Sequence, residues 1–536
     1  MHIVKKLVFF ILIISINHHE RAAGAQFETK NGHSNIVVIV CDSMDGRLVT
    51  GGRYEGVVKL PNIRALSKSG VTYLNAYSNN PICAPSRSAL WSGLHTHITD
   101  SWNNYKALPD DFNMTWADVL SRQAGYDVKI LGKTDFKSGA HTVSNRVEAW
   151  TRNVKFALRQ EARPTVELTG NKSTIKVNVK DWKNVENAVE FLQNKSLEGS
   201  HNTFLLYVGL NMPHPYSTES SGENPGASTF KTSPYWLDKV STGDIHIPQW
   251  LPLNQMHPVD IYSTIVKNCS SQFSQQELID IKSYFYAMCA ETDAMVGEIF
   301  DAINKYGFTE STYVVFTSDH GELAMEHRQF YKMSMYEGSS HVPLVIAFPK
   351  NTERKNTKNE YKVQFINTPV SLVDIYPTFM DIANLHKPIY LNGSSLLPEM
   401  IHEHPDWILS QYHGCNVNAS SYMLRKGPWK YIAYDYGPEY IDSMLFNLED
   451  DPDELNDLGK TDHELLKQFD EFLRKQIDYN AVTNRVKLYN KRSFSNWRKS
   501  LGSKYADTIS NLRWWMDWKK DPEQNQAAID KWLFEL

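Results

Sequence analysis

Cysteine is scarce, with five residues among 536: Cys41, Cys83, Cys269, Cys289 and Cys415. That excludes a small disulfide scaffold, so the fold must rest on an apolar core. The odd count leaves at least one thiol unpaired within the chain, and Cys83 is our choice for it. Long apolar runs are also missing. Beyond residue 16 no stretch is long and apolar enough for a membrane span. Net charge is only −5, from 56 basic and 61 acidic residues. No global field draws the chain to nucleic acid or to an anionic membrane, and a polyanionic substrate would need a local basic pocket. Internal repeats and low-complexity tracts are absent too, which excludes a solenoid or an extended tail.

What is present fits a large globular protein of two or three domains, 41% hydrophobic and 22% charged. Residues 1–25 have the layout of a cleaved secretory signal: Lys5 and Lys6, the apolar run "LVFFILIISI", then the small residues Ala23 and Ala25. The expected route is the secretory pathway, ending in the lysosome or outside the cell. Sequons at Asn113, Asn171, Asn194, Asn268, Asn392 and Asn418 suit a glycoprotein on that route.

"NIVVIV", residues 35–40, reads as a buried parallel strand that empties into "CDSMDG". "TFLLYVGL" (203–210) before "NMPHPY", "STYVVF" before "TSDHGE", and "HVPLVIAF" (341–348) repeat that pattern. Helical periodicity lies between them, clearest over 276–306 and again over 371–385. Strands alternating with helices predict an α/β domain with a large, mostly parallel sheet, over residues 26–405. From 406 to 536 short strands with turns, then a helix from about 462, predict a smaller α+β domain with an antiparallel sheet. The tryptophans of the tail (514, 515, 518 and 532) are expected to pack onto the body.

Chemistry concentrates in "SNNPICAPSRSALWSG", residues 78–93. Pro85 suits the first turn of a helix. Cys83 would then sit at a helix N-terminus, where free N–H groups and the dipole favour anions. Arg87 follows one turn on, and the thiol is expected to be acidic and reactive. Asp42 ends the first strand, and Asp319 and His320 end a later one, where α/β sheets carry their sites.

C-x-P-S-R followed by "LWSG" resembles the signature of sulfatases. "GKTD", "NMPHP" and "SDHGELAMEHRQFYKMSMYEG" resemble further segments of that family, and "LFNLEDDPDELNDL" its C-terminal part. The resemblance implies the alkaline-phosphatase-like fold of sulfatases. It also implies that an ER formylglycine-generating enzyme oxidises Cys83 to an aldehyde. One hydroxyl of the aldehyde hydrate takes the sulfuryl group and the second expels sulfate. By the same resemblance Asp42, Asp319, His320 and residue 83 hold one Ca2+. Arg87 polarises residue 83, Lys133, His214 and Lys332 bind the sulfate, and His257 is placed at the substrate. Short stretches such as "DSMDGRL", "SNRVEAWTR" and "MHPVDIYS" are similar to the lysosomal branch of the family. That similarity implies removal of the 2-sulfate of glucuronate in heparan, chondroitin or dermatan chains, with aryl sulfates as further substrates.

The chain departs from the family pattern at three places. Ser43 follows Asp42 where many members have a second aspartate, which leaves Asp45 as a substitute ligand. Asp135 stands where many have the histidine that assists sulfate elimination, so His141 is expected to replace it. His320 takes the place of the asparagine of several relatives. Two alternatives stay open at this point: a two-metal phosphodiesterase of the same superfamily, and a non-catalytic glycan-binding protein on this fold.

Overall fold

The computed structural model describes residues 33–137, 143–151, 161–198, 202–217, 228–350, 364–414, 419–436, 441–512 and 521–534. Seven strands build the main sheet: β1 (Asn35–Asp42), β2 (Gly70–Tyr73), β3 (Asp127–Gly132), β4 (Phe204–Pro213), β5 (Thr312–Ser318), β6 (Leu344–Ala347) and β7 (Gln364–Ile366). Their order across the sheet is β7-β2-β6-β5-β1-β4-β3. β6 runs antiparallel to both of its neighbours and every other pairing is parallel. β1 lies inside the sheet and is buried along its whole length, which is why it reads as an unbroken apolar run rather than an alternating one.

Among the helices are α1 (Cys83–Ser92), α2 (Trp116–Ala124), α3 (Val179–Leu197), α4 (Pro258–Val266), α5 (Gln275–Lys305), α6 (Ile375–Ile382), α7 (His463–Gln476), α8 (Tyr479–Leu501) and α9 (Pro522–Phe534). α3 and α5 cover one face of the sheet and α1, α2 and α6 the other. Val37, Ile39 and Cys41 of β1 point into one core, with Val185 and Leu192 of α3 and Ile281 and Phe285 of α5. Ile36, Val38 and Val40 point into the other, with Trp91 of α1, Trp116 of α2 and Phe379 of α6. Alternate side chains of one strand thus feed two cores. The long α5 starts where a capping box between Ser274 and Glu277 satisfies its first N–H groups. The helix expected over 371–385 is shorter, because Leu372–Asp374 forms a 3-10 turn before α6.

Beyond residue 406 four strands, β8 (Trp407–Tyr412), β9 (Ser420–Lys426), β10 (Trp429–Asp435) and β11 (Met444–Asn447), form an antiparallel meander. It belongs to one compact unit, residues 34–536, and polar bonds stitch it to the main body. The fully buried Lys430 ammonium reaches Glu337 (2.6 Å), Glu454 (2.8 Å) and the Met335 carbonyl (2.9 Å). Trp532 of α9 packs against Phe494 of α8, as expected of the tail; Trp514, Trp515 and Trp518 lie outside the described residues.

A histidine group marks a second seam between body and meander. The rings of His95 and His97 stack at 5.7 Å. Gln411 of β8 bridges His97 (3.0 Å) and His413 (3.1 Å). Burial pushes His95 down to about 3 and His97 to about 4, so the folded seam favours neutral rings. A folded value below the ordinary one of about 6.5 contributes stability above that pH and loses it as pH falls through the window toward 4. His97→Asn is therefore expected to flatten the acid limb of the stability curve, by at most about 1.4 kcal/mol per pH unit. Urea unfolding across the acid range measures this, and an unchanged slope would remove His97 from the acid response.

Candidate active site

Adjacent parallel strands end side by side, and their carboxyl ends deliver the chemistry. Cys41 of β1 pairs with Ser318 of β5, so Asp42 lies beside Asp319 and His320. Asp42 is also opposite Pro213 of β4, which places His214 next along. Gly132 of β3 pairs with Gly209 of β4, and Lys133 follows. That last approach needs glycine: a Cβ on Gly209 would lie 1.9 Å from the Lys133 carbonyl oxygen. Helix α1 starts at Cys83 and is buried over all ten residues. Asn104 accepts from its Ala84 N–H at 2.9 Å.

Asp42, Cys83, Asp319 and His320 converge so that one ligand atom from each lies within 4.8 Å of all the others. His320 Nε2 is 3.3 Å from Cys83 Sγ, 3.4 Å from Asp42 Oδ1 and 3.5 Å from Asp319 Oδ1. Its Nδ1 faces the Gly321 carbonyl at 3.0 Å, which sets the tautomer and leaves the Nε2 lone pair aimed at the cluster. Burial lowers the His320 ring to about 4, keeping that lone pair free. In a formylglycine enzyme Cys83 Sγ stands in for a hydrate oxygen. Two buried carboxylates, one imidazole nitrogen and that oxygen fit a divalent cation.

Fixed positive groups surround this cluster. Lys133 Nζ bonds Asp42 Oδ2 and lies 3.3 Å from Asp135 Oδ2. Burial, the largest single influence, would raise the Asp42 carboxyl, but Lys133, His214, His320 and Lys332 together outweigh it and hold the group well below its usual range. The Cys83 thiol moves the other way. Burial, and then the Asp42 carboxylate, push it up to about 11 despite Lys133 and Lys332. The acidic thiol expected from the helix N-terminus is thus corrected: the residue is 2% exposed, and burial beside a carboxylate outweighs the dipole. In this state Cys83 is a protected thiol, not a nucleophile.

Arg87, without solvent exposure, anchors α1. It donates to Asp319 Oδ2 (2.7 Å), Tyr207 Oη (2.9 Å), the Lys133 carbonyl (3.0 Å) and the Cys41 carbonyl (3.3 Å). Tyr207 in turn donates to the Lys133 carbonyl at 3.0 Å. Nothing in the sequence alone singles out Tyr207 or Asn104; each is an ordinary residue of its segment until its partner is seen.

The remaining predicted residues divide. His214 and Lys332 meet on one ring: His214 stands 5.6 Å from Tyr331 between centroids, and Lys332 Nζ is 4.9 Å from the same ring. Burial and Lys332 hold His214 well below its ordinary value. Asp45 is not a ligand, because it forms a two-pronged pair with Arg47, with contacts of 3.0 and 2.7 Å. Ser43 instead donates to Asp42 Oδ1 at 3.1 Å, and so orients the ligand it follows. His257 is not brought to the cluster by any contact. It caps α4, bonds the Asp442 carbonyl at 2.8 Å, and lines a cavity of about 880 Å³ with Tyr336 and Lys460. His141 lies outside the described residues, as do Cys415 and Asn418. Among the sequons, Asn113, Asn171, Asn194 and Asn392 are exposed and Asn268 is half-buried. Cys41, Cys83, Cys269 and Cys289 are all free and buried.

Comparison with known proteins agrees with this geometry. The sulfatase family profile matches residues 34–385. The chain belongs to the sulfatase family. It is a sulfuric ester hydrolase and is similar to arylsulfatase K. It is 51% identical over 511 residues to arylsulfatase K of Bos taurus, covering 93% of this chain and 92% of the relative. To that of Homo sapiens it is 49% identical over 521 residues, covering 95% of each. A second profile, the C-terminal region of N-sulphoglucosamine sulphohydrolase, matches residues 325–481. Two solved structures share the fold. One is a phosphonate monoester hydrolase from Silicibacter pomeroyi (TM-score 0.64, 18% identity, 83% of this chain and 96% of that one). The other is a 2-O GAG sulfatase (TM-score 0.59, 20% identity, 83% and 92%). In this sulfatase the Arg87–Asp319 pair is expected to be structural as well as catalytic. Arg87→Met strands a buried carboxylate and should cost about 3–5 kcal/mol of stability, read from denaturant unfolding; a loss below about 1 kcal/mol would contradict it.

Proposed function

We propose that this sulfatase removes the 2-O-sulfate of glucuronate in heparan, chondroitin or dermatan sulfate and also cleaves aryl sulfates. It does so with formylglycine at position 83 and one Ca2+. The secretory signal and the sequons put it in the secretory pathway, with the lysosome or the extracellular space as its destination. There the ER formylglycine-generating enzyme is its first partner. The observation that carries this reading is Cys83 at the start of a wholly buried helix, 3.3 Å from His320 and 4.0 Å from Asp42. A thiol protected in this way is explained as a precursor.

Formylglycine at position 83, as its hydrate, would supply one hydroxyl to take the sulfuryl group as the alcohol leaves, and a second whose deprotonation would re-form the aldehyde and release sulfate. Asp42, Asp319, His320 Nε2 and the hydrate oxygens would hold Ca2+, a hard Lewis acid at the sulfate oxygens. The protein's own groups do the rest. Arg87 fixes α1 and hence the position of residue 83. Lys133 and Lys332 provide ammonium groups for the charge that builds on sulfate oxygens, and Lys332 is our assignment for protonating the leaving oxygen. His214 is kept neutral in the free enzyme, and a bound sulfate adds the negative charge that draws a proton back to it. His141 remains our assignment for the base of the elimination step.

Two measurements test this. The tryptic peptide Ser69–Arg87, from protein made in a eukaryotic secretory pathway, should carry an aldehyde in place of the thiol when its mass is measured. Cys83→Ala should lower aryl sulfate turnover at acid pH by on the order of 10⁴-fold or more. An unmodified thiol in folded, glycosylated protein that still turns over substrate would overturn the assignment.

A further inference from the structure

The turn after β3 holds Lys133 rigidly by its backbone and loosely by its side chain. Lys133 N donates to the Gly209 carbonyl at 2.9 Å. Its own carbonyl accepts from Arg87 and Tyr207, both at 3.0 Å. Only the side chain is left to choose a partner, and two carboxylates compete for it. Asp42 is fully buried, while the Asp135 side chain is 21% exposed. Asp135 reaches back to its neighbour because it adopts a left-handed backbone, φ 48°, a conformation aspartate tolerates better than most residues.

A divalent cation among Asp42, Asp319 and His320 would face a difficulty. The Lys133 ammonium already occupies Asp42 Oδ2, and two positive centres on one carboxylate repel each other. We propose that Asp135 resolves this conflict. It is a positioning residue that takes up the Lys133 ammonium when a cation claims Asp42, which keeps the lysine in the site. The aspartate two residues past Lys133 thus couples cation binding to lysine placement. This inference rests on the cluster being a cation site.

The test is calorimetric titration of Ca2+ into the full-length, chelator-stripped protein. Asp135→Asn should weaken Ca2+ binding about tenfold, the middle of the range for directly interacting groups. Asp135→Glu should recover most of the loss. In a Lys133→Gln background, Asp135→Asn should change affinity by less than about twofold, because no ammonium is left to relocate. Equal weakening in both backgrounds would show a plain field effect and overturn the proposal, as would no weakening at all. If Lys133→Gln does not fold, the wild-type and Asp135→Asn titrations are repeated in about 1 M KCl, where the Debye length falls to about 3 Å. A difference that persists supports direct partnership, and one that collapses overturns it. A wild-type protein that binds no Ca2+ sinks the cation-site reading itself. That outcome is distinct from binding that is intact but insensitive to Asp135.

Discussion

Taking a guanidinium wholly out of water is tolerable only if its donors are met. Arg87 meets them with Asp319, Tyr207 and the carbonyls of Cys41 and Lys133. Those partners come from the ends of β1, β3 and β5 and from within β4, so one side chain on α1 ties four strands together. The bond also divides the labour of Asp319. Oδ2 is taken by Arg87, and Oδ1 is left beside His320, accepting its backbone N–H at 3.0 Å. Asp42 repeats the scheme, with Oδ2 on Lys133 and Oδ1 turned to the cluster. In this structure each buried carboxylate has one oxygen on a basic side chain and the other turned to the cluster, but only the Arg87 partner is fixed.

The second cationic arm is built under strain. Ala324, Met325, His327, Arg328, Tyr331 and Met333 all have positive φ, a conformation non-glycine residues seldom adopt outside functional segments. Glu322 pins the loop by accepting from Ala324 N (3.1 Å) and Tyr331 N (2.6 Å). Behind it Lys430 of β10 bonds the Met335 carbonyl. The antiparallel meander thus supports the segment that presents Lys332, although it supplies no member of the metal-ligand group. Sheet register positions Lys133, and a braced loop positions Lys332.

Much of this could be read in the chain alone. β1, β4 and β5 announce themselves because strands buried on both faces must be apolar throughout, and the polar residues that end them then stand out. Cys83, Arg87 and the "SDHG" turn were legible for that reason and through their family wording. The edge strand β3 was not, because its irregular exposure gives "DVKILG" no clear period. Direction was the other gap. Spacing put Asp45 near the site but could not show that it turns to Arg47. The acidity expected of Cys83 weighed the helix end without the burial that a fully enclosed α1 imposes. His257 was expected at the substrate, and only the fold shows its ring committed to a helix cap and to the Asp442 carbonyl.

The enclosure of α1 also has a bearing on time. Cys83 is 2% exposed, and it is closed in by Asp319 and His320, which the ribosome adds more than two hundred residues later. Any enzyme that alters this thiol needs it in an extended, accessible segment, and the finished protein offers none. The chance to act opens when the segment around residue 83 emerges and closes when β5 docks against β1. On the proposed modification, a chain that folds first would keep its thiol, and the speed of folding would then set how much of the protein becomes active.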